Sequence, residues 1–151
     1  MFKLDIVKPT GMYNQMEVEA LTLPSTDGQV TILPNHMPVV IALEFGIGKI
    51  KTYDGSKRYA ISNGMFTFED NKGMLFLDSI EAEDEIDFMR ARAAKERAEA
   101  RIRKEESREE LLRGELALKR SLIRLSLEKW LISLKKWVQL ELLPLVLSQL
   151  F

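Results

Sequence analysis

Apolar and polar residues alternate one by one through the first half of the chain. Phe2, Leu4 and Ile6 are set against Lys3 and Asp5, and Met16, Val18 and Ala20 against Glu17 and Glu19. GKIKTY, RYAIS, MFTFED and MLFLDSI repeat the habit. Such a period of two marks strands with one buried and one wet face. Asp27-Gly28, Asp54-Gly55, Asn63-Gly64 and the run Asn71-Lys72-Gly73 supply residues that tolerate positive φ in hairpin turns. The spacing predicts an antiparallel sandwich or barrel of roughly 80 residues.

The period then changes. From Asp84 to about Glu106 there is neither glycine nor proline. Asp84 is the expected N-cap, with acidic residues in the first turn. Ser107-Arg108-Glu109-Glu110 is a capping-box pattern that opens a second helical run. Gly114 costs that run about 1 kcal/mol relative to alanine without breaking it. The second part therefore reads as a helical hairpin with a turn near Lys104 to Ser107. Its first helix has only Ile86, Met89, Ile102 and scattered alanines to bury. Its second is rich in leucine. A helix that is polar nearly all round is weakly held, so the hairpin is expected to be a movable element. The fold class is thus α+β, an antiparallel β-sandwich over residues 1–83 and a two-helix hairpin over 84–128, with an atypical extension over 129–151.

Charge sharpens the division. Residues 1–84 carry 7 basic and 12 acidic side chains, net −5, and residues 85–151 carry 15 and 11, net +4. The chain of 151 residues has no cysteine, which excludes disulfides, thiolate metal sites and a cysteine nucleophile. MFKLDIVK does not read as a signal peptide, so a cytosolic protein is expected. The basic hairpin has no interleaved aromatic residues, which argues against nucleic acid as a partner.

The single histidine lies in TILPNHMPVV, between Pro34 and Pro38. With no second histidine and no nucleophile motif, His36 reads as part of a proline-bounded turn and neither a metal ligand nor a catalytic base. The segment GQVTILPNHMP, Gly28 to Pro38, resembles the GxxxILPxHxP stretch of the epsilon subunit of bacterial F-type ATP synthase. ISNGMF, Ile61 to Phe66, resembles that family's Ser-Gly-Gly turn, and ELALKRSLIRLS, Glu115 to Ser126, its second helix. Asn35 and Asn63 stand where the family often has glycine, and asparagine is the best non-glycine occupant of the left-handed region. The resemblance covers residues 1 to about 128. It implies a non-catalytic rotor subunit whose sandwich meets the gamma subunit and the c-ring, with the turn around Gly28, Pro34, His36 and Pro38 as a candidate contact. It further implies a protein peripheral to the cell membrane on its cytoplasmic side.

The hairpin carries a second motif. Ile86-Asp87-Phe88-Met89-Arg90-Ala91, with Glu81 before it, resembles the Ile/Leu-Asp-x-x-Arg-Ala motif that binds ATP in some epsilon subunits. Arg97, Arg113, Arg120 and Arg124 fall on the family's other basic positions. At about 100° per residue, Arg90 and Arg97 share a face to within roughly 20°, and Arg113, Arg120 and Arg124 share a stripe about 40° wide. Guanidinium groups suit a polyphosphate because they stay charged and bond bidentately. Asp87 or Glu81 is available to an adenine amino group. The same charges also fit a solvated face with i,i+4 pairs such as Arg92–Glu96 and Lys95–Glu99. No Walker-type glycine loop is present, so ATP would be a regulatory ligand and not a substrate. By the resemblance, a hairpin extended toward the alpha and beta subunits blocks hydrolysis, and ATP favours the compact form.

Trp130 to Phe151 falls outside the resemblance. Its uncharged end, Leu142 to Phe151, is 10 residues, short of a membrane span. Trp130 and Trp137 would share a helical face, which leaves an interfacial membrane helix or a packed helix extension open. Pro144 should end or bend a helix there. Without the resemblance, the whole chain reads as a stand-alone β-sandwich interaction module.

Overall fold

The computed structural model describes residues 1–104 and 107–150, with side chains described through residue 129 and at 131 and 132. The strands are β1 (Phe2–Lys8), β2 (Gly11–Val18), β3 (Ala20–Ser25), β4 (Gly28–Ile32), β5 (Val39–Leu43), β6 (Gly46–Thr52), β7 (Gly55–Ile61), β8 (Gly64–Glu69), β9 (Lys72–Leu77) and β10 (Ile80–Ala82). They form a β-sandwich in which hydrogen bonds run in the order β10-β7-β6-β3-β5-β8-β9-β1-β2, with β4 added to β3.

Alternation places one face of nearly every strand inside. Phe2, Leu4, Ile6, Val18, Leu21, Leu23, Ile32, Phe66, Phe68 and Leu75 are at most 1% exposed. Phe2 and Phe68 meet edge to face at 5.2 Å, the arrangement that the ring quadrupoles favour. Two details depart from the sequence reading. The sheet is not wholly antiparallel, because β1 runs parallel to β9 from Lys3↔Lys72 to Val7↔Phe76. Alternation specifies faces, not strand directions, and the N-terminal strand closes the sheet beside the β8–β9 hairpin. Asp5, expected on a wet face, is covered at 8% exposure and pairs with Lys72 at 3.1 Å across that parallel contact.

The turns also sort differently. The β8–β9 turn is made by Asp70 and Asn71, both at positive φ, with Gly73 inside the strand. Gly64 is needed for closeness: a Cβ there would lie 1.9 Å from the Phe76 carbonyl oxygen. Asn35 takes the left-handed conformation at φ 62, as its chemistry predicts, whereas Asn63 does not.

The hairpin consists of α1 (Phe88–Lys104) and α2 (Arg108–Leu150). Ser107 caps α2 as expected, its Oγ accepting the Glu110 amide at 3.1 Å. The cap of α1 is Asp87, whose Oδ1 accepts the Arg90 amide at 3.1 Å. Asp84 lies in the preceding turn and pairs instead with Lys57 at 3.0 Å. The acids are three residues apart, and Ile86, buried at 8%, fixes the later one as the start. Met89 points to solvent at 78% exposure, so it contributes nothing to the burial expected of it. The helices meet through small residues. Ala91 and Ala98 of α1 are buried, and so are Gly114 and Ser121 of α2, each pair seven apart and therefore on one face. A Cβ on Gly114 would come within 3.0 Å of Ile102 Cγ1, which gives that glycine a packing reason. Of the turn assigned to Lys104–Ser107, Glu105 and Glu106 lie outside the described residues.

The hairpin lies against β6 and β7 through a second apolar cluster of Ala60, Ile86 and Leu127, edged by Ile47, Phe88 and Ile123. This cluster is distinct from the core of the sandwich. Helix α2 runs on past Pro144 to Leu150 and does not end at the proline. One proline removes a single helical bond, and Leu- and Gln-rich neighbours on either side favour helix. The side chains of Trp130 and Trp137 lie outside the described residues. No helix is long and apolar enough to cross a membrane among the described residues.

Candidate functional site

The joint between sandwich and hairpin holds a cavity of about 570 Å³. Its walls come from three elements. Strand β10 gives Glu81, the hinge and α1 give Glu85, Asp87, Arg90, Ala91, Ala93, Ala94 and Arg97, and α2 gives Arg124. The alanines leave the space and the arginines line it. Acidic side chains sit at the hinge end, while Arg90 lies about 5 Å and Arg97 about 15 Å further along the axis of α1 by helical rise. The cavity therefore holds acceptors and the Arg124 guanidinium together, with Arg90 and Arg97 further along α1.

Arg124 joins the two domains across this cavity. Its Nε and Nη2 donate to Glu81 Oε2 and Oε1 at 3.1 and 2.7 Å. Both groups are about a third exposed. This two-pronged pair holds α2 to β10 and leaves other guanidinium N–H groups for a ligand, since arginine carries five donors. The helices are joined nearby by Arg92 and Glu128. Arg92 thus pairs across the hairpin rather than with Glu96, while Lys95 and Glu99 approach to 3.9 Å as an i,i+4 pair.

The hinge has its own contacts. Glu85 Oε2 accepts the Tyr13 hydroxyl at 3.3 Å and the Ala82 amide at 3.2 Å. Burial and the neighbouring Glu85 carboxylate push the Tyr13 hydroxyl up to about 12. The hydrogen bond from Lys57 holds Asp84 below the ordinary aspartate value, and the same bond raises Lys57.

The residues singled out from sequence divide into groups. Glu81, Asp87, Arg90, Ala91, Arg97 and Arg124 come together at the cavity. Ile86 packs beneath it against Ala60 and Leu127. Arg113 stands about 16 Å along α2 from Arg124 by helical rise, at the hairpin tip with Arg101, Lys104 and Glu110. Arg120 lies over the ring of Phe45, 4.6 Å from its centroid, and does not line the cavity. Glu85 and Phe45 were not among the sequence candidates. Glu85 sat unmarked in an acidic run, and nothing in local periodicity singles out Phe45.

The sequence implies one exposed turn around Gly28 to His36, and the structure divides it. Gly28, at φ 119, opens β4, and the Pro34–Pro38 loop follows the other end of that strand, about 13 Å away by strand rise. In the loop, the Asn71 side chain holds the Asn35 amide at 2.8 Å. His36 Nδ1 lies 2.8 Å from the Met37 carbonyl oxygen, and the ring stands edge-on to Phe68 at 6.1 Å. No cluster of metal-ligating side chains occurs among the described residues. Leu33, Met37 and Val40 are more than half exposed around this loop, an apolar tip on an acidic domain.

A strand-built sandwich with a small-residue helical hairpin on its flank, and an arginine-lined cavity at their joint, defines a two-part α+β chain. Residues 1–83 match the ATP synthase, Delta/Epsilon chain, beta-sandwich domain, and residues 84–127 the corresponding long alpha-helix domain. The chain belongs to the ATP synthase Delta/Epsilon chain family, as an epsilon subunit of F-type ATP synthase. It is 36% identical over 119 residues to the ATP synthase epsilon chain of Staphylococcus aureus strain JH9, covering 78% of this chain and 89% of that one. The strain Newman chain matches equally. A chain in the structure of the Euglena gracilis mitochondrial ATP synthase, comprising OSCP, F1 and c-ring, aligns with TM-score 0.72 at 25% identity, over 85% of this chain and 79% of that chain.

Proposed function

We propose that this chain is a non-catalytic central-stalk subunit that couples F1 to the c-ring and regulates ATP hydrolysis through its hairpin, with ATP as the regulatory ligand. The observation that carries the regulatory part is the arginine-bearing cavity lined from β10, α1 and α2 together. A site assembled from both domains exists only while the hairpin is docked, so its ligand favours docking by mass action. Arg90, Arg97 and Arg124 take the phosphates. The adenine amino group donates to Asp87 or Glu81, whose carboxylate oxygens keep lone pairs beside the bonds they already accept. Abundant ATP keeps the hairpin down, and scarcity frees it to reach the alpha and beta subunits. A volume of about 570 Å³ suits a small ligand.

The sandwich serves as the anchor. The apolar tip at Leu33, Met37 and Val40 supports contact with the c-ring or the gamma subunit, on the cytoplasmic side of the membrane. Titration of the isolated chain with labelled ATP is expected to saturate below the millimolar range, and Arg90→Ala with Arg97→Ala is expected to abolish saturation. Absence of saturation in the parent chain removes the ligand from the scheme. Deleting residues 84–151 is expected to raise hydrolysis by the assembled complex, and unchanged hydrolysis removes the inhibitory role.

A further inference from the structure

The matched helical domain ends at residue 127, and the helix does not. Helix α2 continues from Leu127 to Leu150, about 34 Å by helical rise. At about 100° per residue, Trp130, Leu131, Leu134, Trp137 and Val138 fall within an arc of about 120°, with the two tryptophans at one edge. Lys135, Lys136 and Gln139 fall outside it. The arc continues the side of α2 on which Ile123 and Leu127 meet the sandwich.

The sandwich flank does not continue in kind. The cluster under α2 uses Ile47 of β6 and Ala60 of β7, which are partners in register. The next residues on that face are Lys49 opposite Arg58, and then Lys51 opposite Ser56. Lys49 and Lys51 are exposed. Apolar side chains gain little from a charged surface, so the arc needs a different apolar surround. Beyond Glu141 the need widens. Leu142, Leu143, Leu145, Val146, Leu147 and Leu150 spread over about 200° of the circumference, too broad a face for one groove. Yet the uncharged end is too short to cross a bilayer.

We propose that residues 130–150 are a surface anchor for an anionic lipid bilayer. The apolar arc and the leucine-rich end enter the boundary between headgroups and acyl chains. Trp130 and Trp137 lie at headgroup level, and Lys135 and Lys136 meet lipid phosphate. Paired lysines beside an apolar arc edged by indole rings are the chemistry of that interface. The chain is a subunit of a membrane-associated complex, which favours lipid over other apolar surfaces. Neither the cavity nor nucleotide enters into this anchoring.

Both tryptophans of the chain lie in this stretch, so intrinsic tryptophan fluorescence reports on it alone. The full chain, without nucleotide, is mixed with vesicles of phosphatidylcholine containing one-quarter phosphatidylglycerol. It is expected to sediment with them and its emission to move to the blue. Bromine near the headgroups is expected to quench that emission more than bromine at the acyl ends. Lys135→Gln with Lys136→Gln is expected to weaken partition about ten- to thirtyfold. Leu134→Gln with Val138→Gln is expected to weaken it on neutral and anionic vesicles alike. A chain left in the supernatant overturns the proposal, as does sedimentation with unchanged emission, which puts lipid contact elsewhere. Stronger quenching from the acyl ends overturns the surface placement. Self-association that buries the tryptophans without lipid and prevents vesicle binding gives the stretch to a second copy instead.

Discussion

At the scale of single residues, Asp87 carries two tasks. It caps α1 and lines the cavity. Replacing it with alanine is expected to cost about 1 kcal/mol of helix stability, seen as faster amide exchange at Met89 to Ala91. Sequence pattern pointed to Asp84 as the cap, and the structure gives that role to Asp87, one residue after the buried Ile86. The arginines were legible as a class, because helical spacing set Arg90 and Arg97 on one face and the cavity receives both. Their division was not legible, since whether an arginine meets open space or an aromatic ring depends on a turn 75 residues earlier for Arg120. Tyr13 gives a pH signature at the hinge. Its folded value is raised, so the Tyr13–Glu85 contact is fully present below pH 10 and is lost as pH rises toward about 12. Ultraviolet titration is expected to show late tyrosinate formation from both Tyr13 and the buried Tyr59, and Tyr13→Phe to remove one of the two contributions. The Asp84–Lys57 clamp spans neutral pH: it fails under acid as the lowered aspartate takes up a proton, and in alkali only once the raised Lys57 has lost its own.

At the scale of elements, the seam between α1 and α2 is tight but modest in buried area. Alanine, glycine and serine bring the backbones close and bury few carbon atoms. Gly114→Leu drives its side chain into Ile102 and the Ala98 carbonyl, whose nearest atoms already lie 3.0 and 3.5 Å from a bare Cβ. The helices are expected to part, with loss of amide protection in Phe88–Lys104 and no change in the strands. From sequence, Gly114 looked like a flaw in the helix. Its reason lies on the opposing helix, which period and propensity along one segment do not reveal. The strands were legible because each face has a single fate, wet or dry. The parallel β1–β9 pairing was not, because it joins residues far apart and leaves no mark in the alternation.

At the scale of the whole molecule, the two apolar clusters are separate. Leu127→Ala removes the most buried side chain of the smaller one, at a cost of about 2–3 kcal/mol. That loss is expected to fall on docking. Denaturant unfolding of the sandwich, followed through strand amides, should keep its midpoint, while the hairpin's protection is lost earlier. A common shift of both would mean that hairpin and sandwich fold as one unit.

The unbroken course of α2 has a mechanical corollary. Its 43 residues span about 65 Å, and among the described side chains the sandwich grips it from Lys119 to Leu127. A rod held along one stretch carries load along its length: a pull on the arm beyond Leu127 bears on the contacts from Lys119 to Leu127. Whatever tethers that far arm therefore weighs on how firmly the hairpin sits on the sandwich.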